Sequence, residues 1–172
     1  MQGEIKNKVA ESSLITFDLE RYYNHSKRVQ IDIKDNLYQG FVLREKDFRE
    51  FVKTTDWTQY QGQNVAIYCS EDAIVPTWAY MLLSSALTPY ANKVVFGDLS
   101  HLENALFQDA LMKIDLEEFK DGRVIIKGCG NYPVPEFAYV EITRLLQPVV
   151  KSLMYGEACS AVPLYKKPKN IN

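Results

Sequence analysis

Cysteine and histidine are scarce in this 172-residue chain: three of the first, two of the second. An odd cysteine count cannot close a disulfide framework. Met1 to Ser12 is polar and charged, without the apolar centre of a secretory signal. Three reduced thiols in a cytoplasmic protein are the expectation. Neither sign of charge dominates. A net charge of -2 and a pI of 5.7 exclude a domain-wide electrostatic footprint for nucleic acid. Long apolar runs are missing too. Residues 73–92 carry no charge, but Pro76, Pro89 and Asn92 interrupt them, and their apolar centre is only Trp78 to Leu87. That is about half of the roughly 20 residues a membrane span needs. A buried core helix is expected there, and no membrane. Phosphate-binding loops, GxSxG nucleophile elbows, HExxH zinc motifs and CxxC pairs are all absent.

What the chain does have is enough apolar sequence for a core. It is 47% hydrophobic and 24% charged, the balance of one globular domain or at most two small ones. It also has an internal repeat. Val65 to Asp98 and Val124 to Glu157 align when Pro76 is set on Pro135. Trp78 then falls on Phe137, Ala79 on Ala138, Tyr80 on Tyr139, Leu87 on Leu146 and Pro89 on Pro148. Phe96 falls on Tyr155, Gly97 on Gly156 and Asp98 on Glu157. The shared pattern is V-P-x-aromatic-A-Y, then L-x-P, then aromatic-Gly-acid.

Each copy reads as strand, helix, strand. VAIYC and RVIIKGC are short β-branched runs. The V-P that follows predicts a helix with proline at its first position. Ala79, Leu82, Leu83, Ala86, Leu87 and Tyr90 share one helical face, and Glu141 stands where Leu82 would repeat. KVVFG and SLMYG read as strands ended by glycine. Between the copies, Leu99 to Phe119 looks helical, and Asp121-Gly122 signals a turn. Upstream, Leu14 to Leu19 and Arg28 to Ile33 read as strands and Lys46 to Lys53 as a short helix. The expected fold class is α/β: a mostly parallel sheet with helices on its faces, built around a duplicated strand–helix–strand unit. Residues 1–60 are expected as an N-terminal segment integrated in the same domain. Residues 61–167 form the core, with copies at 65–98 and 124–157, and 168–172 form a polar tail.

In an open parallel sheet, ligands bind beyond the carboxyl ends of the strands. Cys69 and Cys129 close equivalent strands of the two copies, and Cys159 follows the glycine ending the last one. All three are therefore expected on one rim, near helix N-termini that favour thiolates. Such thiols could bind zinc or iron, hold an iron–sulfur species, or supply a nucleophile. They could also be core filler. Asp98, Glu157 and His101 are the preferred additional metal ligands, with Glu71 and Asp72 on the same rim. His25 reads as a solvated surface residue, and the uniformly apolar first helix could cover a homodimer interface.

The segments EKDFREFV, AIVPTWAYMLL, KVVFGDL, RVIIKGC, LQPVVKS and GEACSAVPLYKK together resemble an uncharacterised bacterial family, domain of unknown function 2480. The resemblance runs over about Ile5 to Lys167. By association with sulfur-mobilisation genes, it implies an accessory role in metal handling or iron–sulfur cluster assembly, with iron–sulfur assembly proteins as partners. It transfers no catalytic residue. The resulting expectation is a metal- or cluster-binding accessory protein, not a turnover enzyme, using Cys69, Cys129 and Cys159 with Asp98, Glu157 or His101. The alternatives are a thiol-dependent enzyme on a small anionic substrate and a structural, partner-binding dimeric domain.

Overall fold

The computed structural model describes residues 14–128 and 130–168. The fold is mixed α/β. In chain order the elements are β1 (Leu14–Asp18), β2 (Arg28–Asp32), α1 (Glu45–Thr54), β3 (Asn64–Tyr68), α2 (Thr77–Leu87), β4 (Lys93–Phe96) and α3 (Leu99–Leu111). Then follow β5 (Arg123–Lys127), α4 (Glu136–Leu146), β6 (Ser152–Tyr155) and β7 (Val162–Lys166). Two compact units emerge. One is Asn24–Leu106; the other is formed by the described chain on either side of it.

The inserted unit has a three-stranded, all-parallel sheet in the order β2-β3-β4. Its middle strand, NVAIY, is buried on both faces, as a central parallel strand must be. Val65 and Ile67 pack into one core with Phe48 of α1 and Ala79, Leu83 and Leu87 of α2. Ala66 points the other way, against Leu102 and Leu106 of α3. Each fully buried Val or Ile here contributes about 1.5–3 kcal/mol of transfer free energy.

The outer unit has the strand order β1-β5-β6-β7. The first three are parallel; β7 runs antiparallel to β6, with an irregular register between Leu153 and Met154. Val124, Ile126 and Leu153 meet Ala138, Ile142 and Leu146 of α4 in the core, joined by Phe17, Phe107 and Phe119.

The element types follow the sequence patterns closely, and the sheet arrangement departs from them. A single sheet was expected, but β5 pairs with β1 rather than β4. Each unit opens with its own edge strand, β1 or β2, ending in an aspartate. Asp18 accepts from the Glu20 N–H and Asp32 from the Lys34 N–H, each capping a 3-10 turn. β3 thus pairs with β2 and β5 with β1, each within its own unit. Strand β7 was not expected at all. Its sequence, VPLYK, contains Pro163, tolerated because β7 is an edge strand. Pro76 and Pro135 are not the first helical residues. Their ψ values of 139° and 151° are extended, so they are N-caps and the helices start at Thr77 and Glu136. The helical stretch 99–119 is two elements: α3 stops at Leu111, and Asp115 caps a separate 3-10 turn, Leu116–Phe119.

Corresponding elements of the two units lie 59 residues apart: β3 and β5 start at 64 and 123, α2 and α4 at 77 and 136, β4 and β6 at 93 and 152. Gly97 and Gly156 keep the same spacing and both have positive φ, 123° and 110°.

Candidate functional site at the carboxyl rims

Cys69 and Cys159 follow strands of two different sheets. Cys69 directly follows β3 of the three-stranded sheet, half-buried, with its thiol 3.6 Å from the Glu71 carbonyl. Cys159 is a free, exposed thiol in the turn after β6 of the four-stranded sheet. Cys129 lies outside the described residues.

At the constant spacing of the elements, Cys69 and Cys129 do not fall opposite each other. Shifted by 59, Cys69 falls on Gly128 and Ser70 falls on Cys129. The two positions differ physically. A Cβ on Gly128 would sit 2.9 Å from Leu19 Cβ and 3.0 Å from the Tyr139 hydroxyl. A side chain there would force a shift of the Leu19 segment or the strand end, so a cysteine would be overpacked at that place in the outer unit. In the inserted unit, Ser70 is committed to Asp32, which accepts from its N–H at 3.1 Å and its hydroxyl at 2.6 Å.

Asp98 and His101 serve the start of α3. The Asp98 carboxylate accepts from the N–H groups of Ser100 (2.9 Å) and His101 (3.1 Å) and meets His101 Nδ1 at 2.8 Å. The bond to the His101 ring, more than any other contact, holds the Asp98 carboxyl well below the usual carboxylate range. Gly97 makes room for the pair: a Cβ there would lie 2.6 Å from the imidazole, at a backbone φ of 123° that already favours glycine. This is an N-cap with an added ring contact. Among the described residues, no group of three or more His, Cys, Asp or Glu is arranged to hold a metal ion.

Glu157 has a different setting. It lines a cavity of about 190 Å³ at the rim of the outer unit, with Asp18, Glu20, Lys127, Gly128, Gly130 and Asn131. Three carboxylates and one ammonium leave this cleft net anionic. Lys127 Nζ stands 4.0 Å from Asp18. Glu20 reaches across the rim and accepts from the backbone N–H groups of Gly130 and Asn131, the latter at 2.9 and 3.1 Å. The Asn131 N–H does most to lower the Glu20 carboxyl below its ordinary value. Gly130 permits this approach, since its missing Cβ would lie 2.9 Å from a Glu20 oxygen. The glycines on both sides of Cys129 are thus held against the Leu19–Glu20 segment.

Asp18, Glu20 and Lys127 were missed in the sequence because nothing local marks them. Glu20 and Gly130 are 110 residues apart. The available signal was the Gly-Cys-Gly triplet itself, since paired glycines after a strand indicate close approach by another segment.

No helix among the described residues is long and apolar enough to cross a membrane. No curated protein and no solved structure matches the chain. A family model described as protein of unknown function DUF2480 matches residues 3–167. That span takes in both sheets, both rims and all three cysteines, and the chain belongs to the DUF2480 family.

Proposed function

We propose that the protein is an accessory factor in metal handling or iron–sulfur cluster assembly. It works from the cleft of the outer unit, with Cys129, Cys159 and Glu157 as ligands for zinc, iron or a cluster intermediate. The supporting observation is the cleft itself: it is net anionic, Glu157 lines it, and so do the glycines on either side of Cys129. Thiolates with a carboxylate suit zinc and iron. Cys69 plays no part in this set, and Asp98 and His101 are engaged with each other. Iron–sulfur assembly proteins are the proposed partners and the cytoplasm the proposed location. We also propose that segments 65–98 and 124–157 are a duplicated strand–helix–strand unit, supported by the constant spacing of their elements.

A second reading, a thiol-dependent enzyme on a small anionic substrate, draws support from Lys127. A lysine ammonium in the same cleft would favour the Cys129 thiolate and an anionic group beside it.

Anaerobic purification with zinc and iron analysis separates the two. Under the metal reading, Cys129→Ser and Cys159→Ser lose bound metal and Cys69→Ser retains it. Metal that is absent from the wild type, or equal in all three variants, refutes that reading. Rapid alkylation of Cys129 near neutral pH, abolished by Lys127→Met, supports the second.

A further inference from the structure

The outer unit carries a second cavity, about 740 Å³, on the α4 face of its sheet. Ile126 and Tyr155 line it from β5 and β6, Glu136, Tyr139, Val140 and Thr143 from α4, and Leu164 from β7. Its size is that of small-molecule sites, roughly 300–1,000 Å³. Strand β7 makes the difference between the units. In the inserted unit the counterparts are Tyr80, Met81 and Phe96; the Tyr80 and Phe96 rings meet at 5.0 Å and Met81 is exposed, but that sheet ends at β4. No strand there corresponds to the one carrying Leu164.

The lining states what would fit. Val140 is 69% exposed and Leu164 49%, an apolar surface left uncovered by the described residues. The Tyr139 and Tyr155 rings meet edge to face, with centroids 5.8 Å apart. The Thr143 hydroxyl is spent on the Tyr139 carbonyl at 2.7 Å. Glu136 is the charged residue in the lining, and the inserted unit has Thr77 at that position. No ion pair involves Glu136 among the described residues. Glu136 stands in the first turn of α4, so the helix end offsets part of its charge. That offset is about half an elementary charge against a full one, and the end of the cavity stays negative. Tyrosine faces add attraction for a cation within about 6 Å of the ring.

We propose that this cavity binds a small amphipathic organic cation: an aromatic or aliphatic body in the apolar trough, with one ammonium group at Glu136. The cavity shares no lining residue with the metal cleft, and the proposal stands whether or not that cleft binds metal.

The test is a titration of the isotope-labelled full chain with three probes of one shape: phenethylamine as the cation, 2-phenylethanol as the neutral form and phenylacetate as the anion. Saturable shifts are expected on α4, β6 and β7, in the order cation, neutral, anion. The cation should bind about 1.4- to 5-fold tighter than the alcohol, the range of an exposed ion pair. Glu136→Gln should remove that preference while the alcohol binds as before. Val140→Ser, which removes apolar surface without adding charge, should weaken all three probes. The proposal is overturned if no probe saturates in the millimolar range. It is overturned equally if alcohol and amine bind the wild type alike, or if the shifts centre outside these elements.

Discussion

Replacing Gly128 by alanine is the sharpest test of how the rim is built. The added methyl would lie 2.9 Å from Leu19 Cβ, 3.0 Å from the Tyr139 hydroxyl and 3.4 Å from Val134 Cγ2. A Cβ cannot rotate away, and Leu19 is fully buried. The segment carrying Leu19 must therefore move, or the strand end must. Overpacking of this kind costs about 1–3 kcal/mol. For a chain of this length each kcal/mol lowers Tm by roughly 2–4 °C. Urea unfolding followed by circular dichroism should show the loss as a lower midpoint with an unchanged slope. The displaced segment also carries Glu20, so amide exchange at Asn131 should accelerate in the same variant. Cys69→Ala is the control. It stands at the corresponding position of the inserted unit, half-buried, and should cost no more than about 1 kcal/mol. If Gly128→Ala is as stable as wild type to within about 0.5 kcal/mol, the close packing behind the revised cysteine equivalence is wrong.

Two further outcomes follow from the geometry. Because the folded Asp98 carboxyl is depressed by His101, its stabilising effect is present above the ordinary carboxylate pKa and disappears as pH falls through the folded value. Asp98→Asn should therefore flatten part of the acid-side loss of stability, and parallel pH–stability curves for variant and wild type would contradict this. Arg28 on β2 holds Glu103 on α3 in a two-pronged pair, 2.5 Å and 3.1 Å, and also donates to the carbonyls of Asn24 and Ser26 (the latter at 2.7 Å). Both side chains are largely covered, at 14% and 21% exposure. Arg28→Ala should cost about 1.5–3 kcal/mol in denaturant unfolding, and Arg28→Lys should recover less than half because an ammonium cannot form the planar fork. Full recovery with lysine would refute the two-pronged geometry.

How much of the molecule is legible in the chain depends on the range of the interaction. β3 and β5 are readable because buried parallel strands are continuous β-branched runs. The helices after Pro76 and Pro135 are readable because extended proline backbone stops a strand and opens a helix. Strand β7 was not, because its edge position leaves most of it exposed, with no apolar alternation to betray it. Aligning cysteine with cysteine required a one-residue slip in the loop before Pro76 and Pro135. The strand bounds instead put Gly128 and Ser70 in those places.

The candidate site divides the same way. The sequence marks Asp98 and His101 as candidate metal ligands; the structure engages them with each other at the start of α3, a contact within one helical turn. Glu157 was singled out by its repeat position, but Glu20 and Lys127, which share its cleft, carry no local mark.

By itself, then, the sequence determined the kinds of most elements, their spacing and the glycines at which β4 and β6 stop. These depend on side-chain period, proline dihedrals and the freedom of glycine, all properties of a few neighbouring residues. Only the tertiary structure decided that β5 would take β1 as its neighbour, that two sheets would form instead of one, and that Glu20 would cross to the loop bearing Cys129. Every strand edge offers the same N–H and C=O groups. The choice among edges is made by which cores close around them, and that is not written in any one segment.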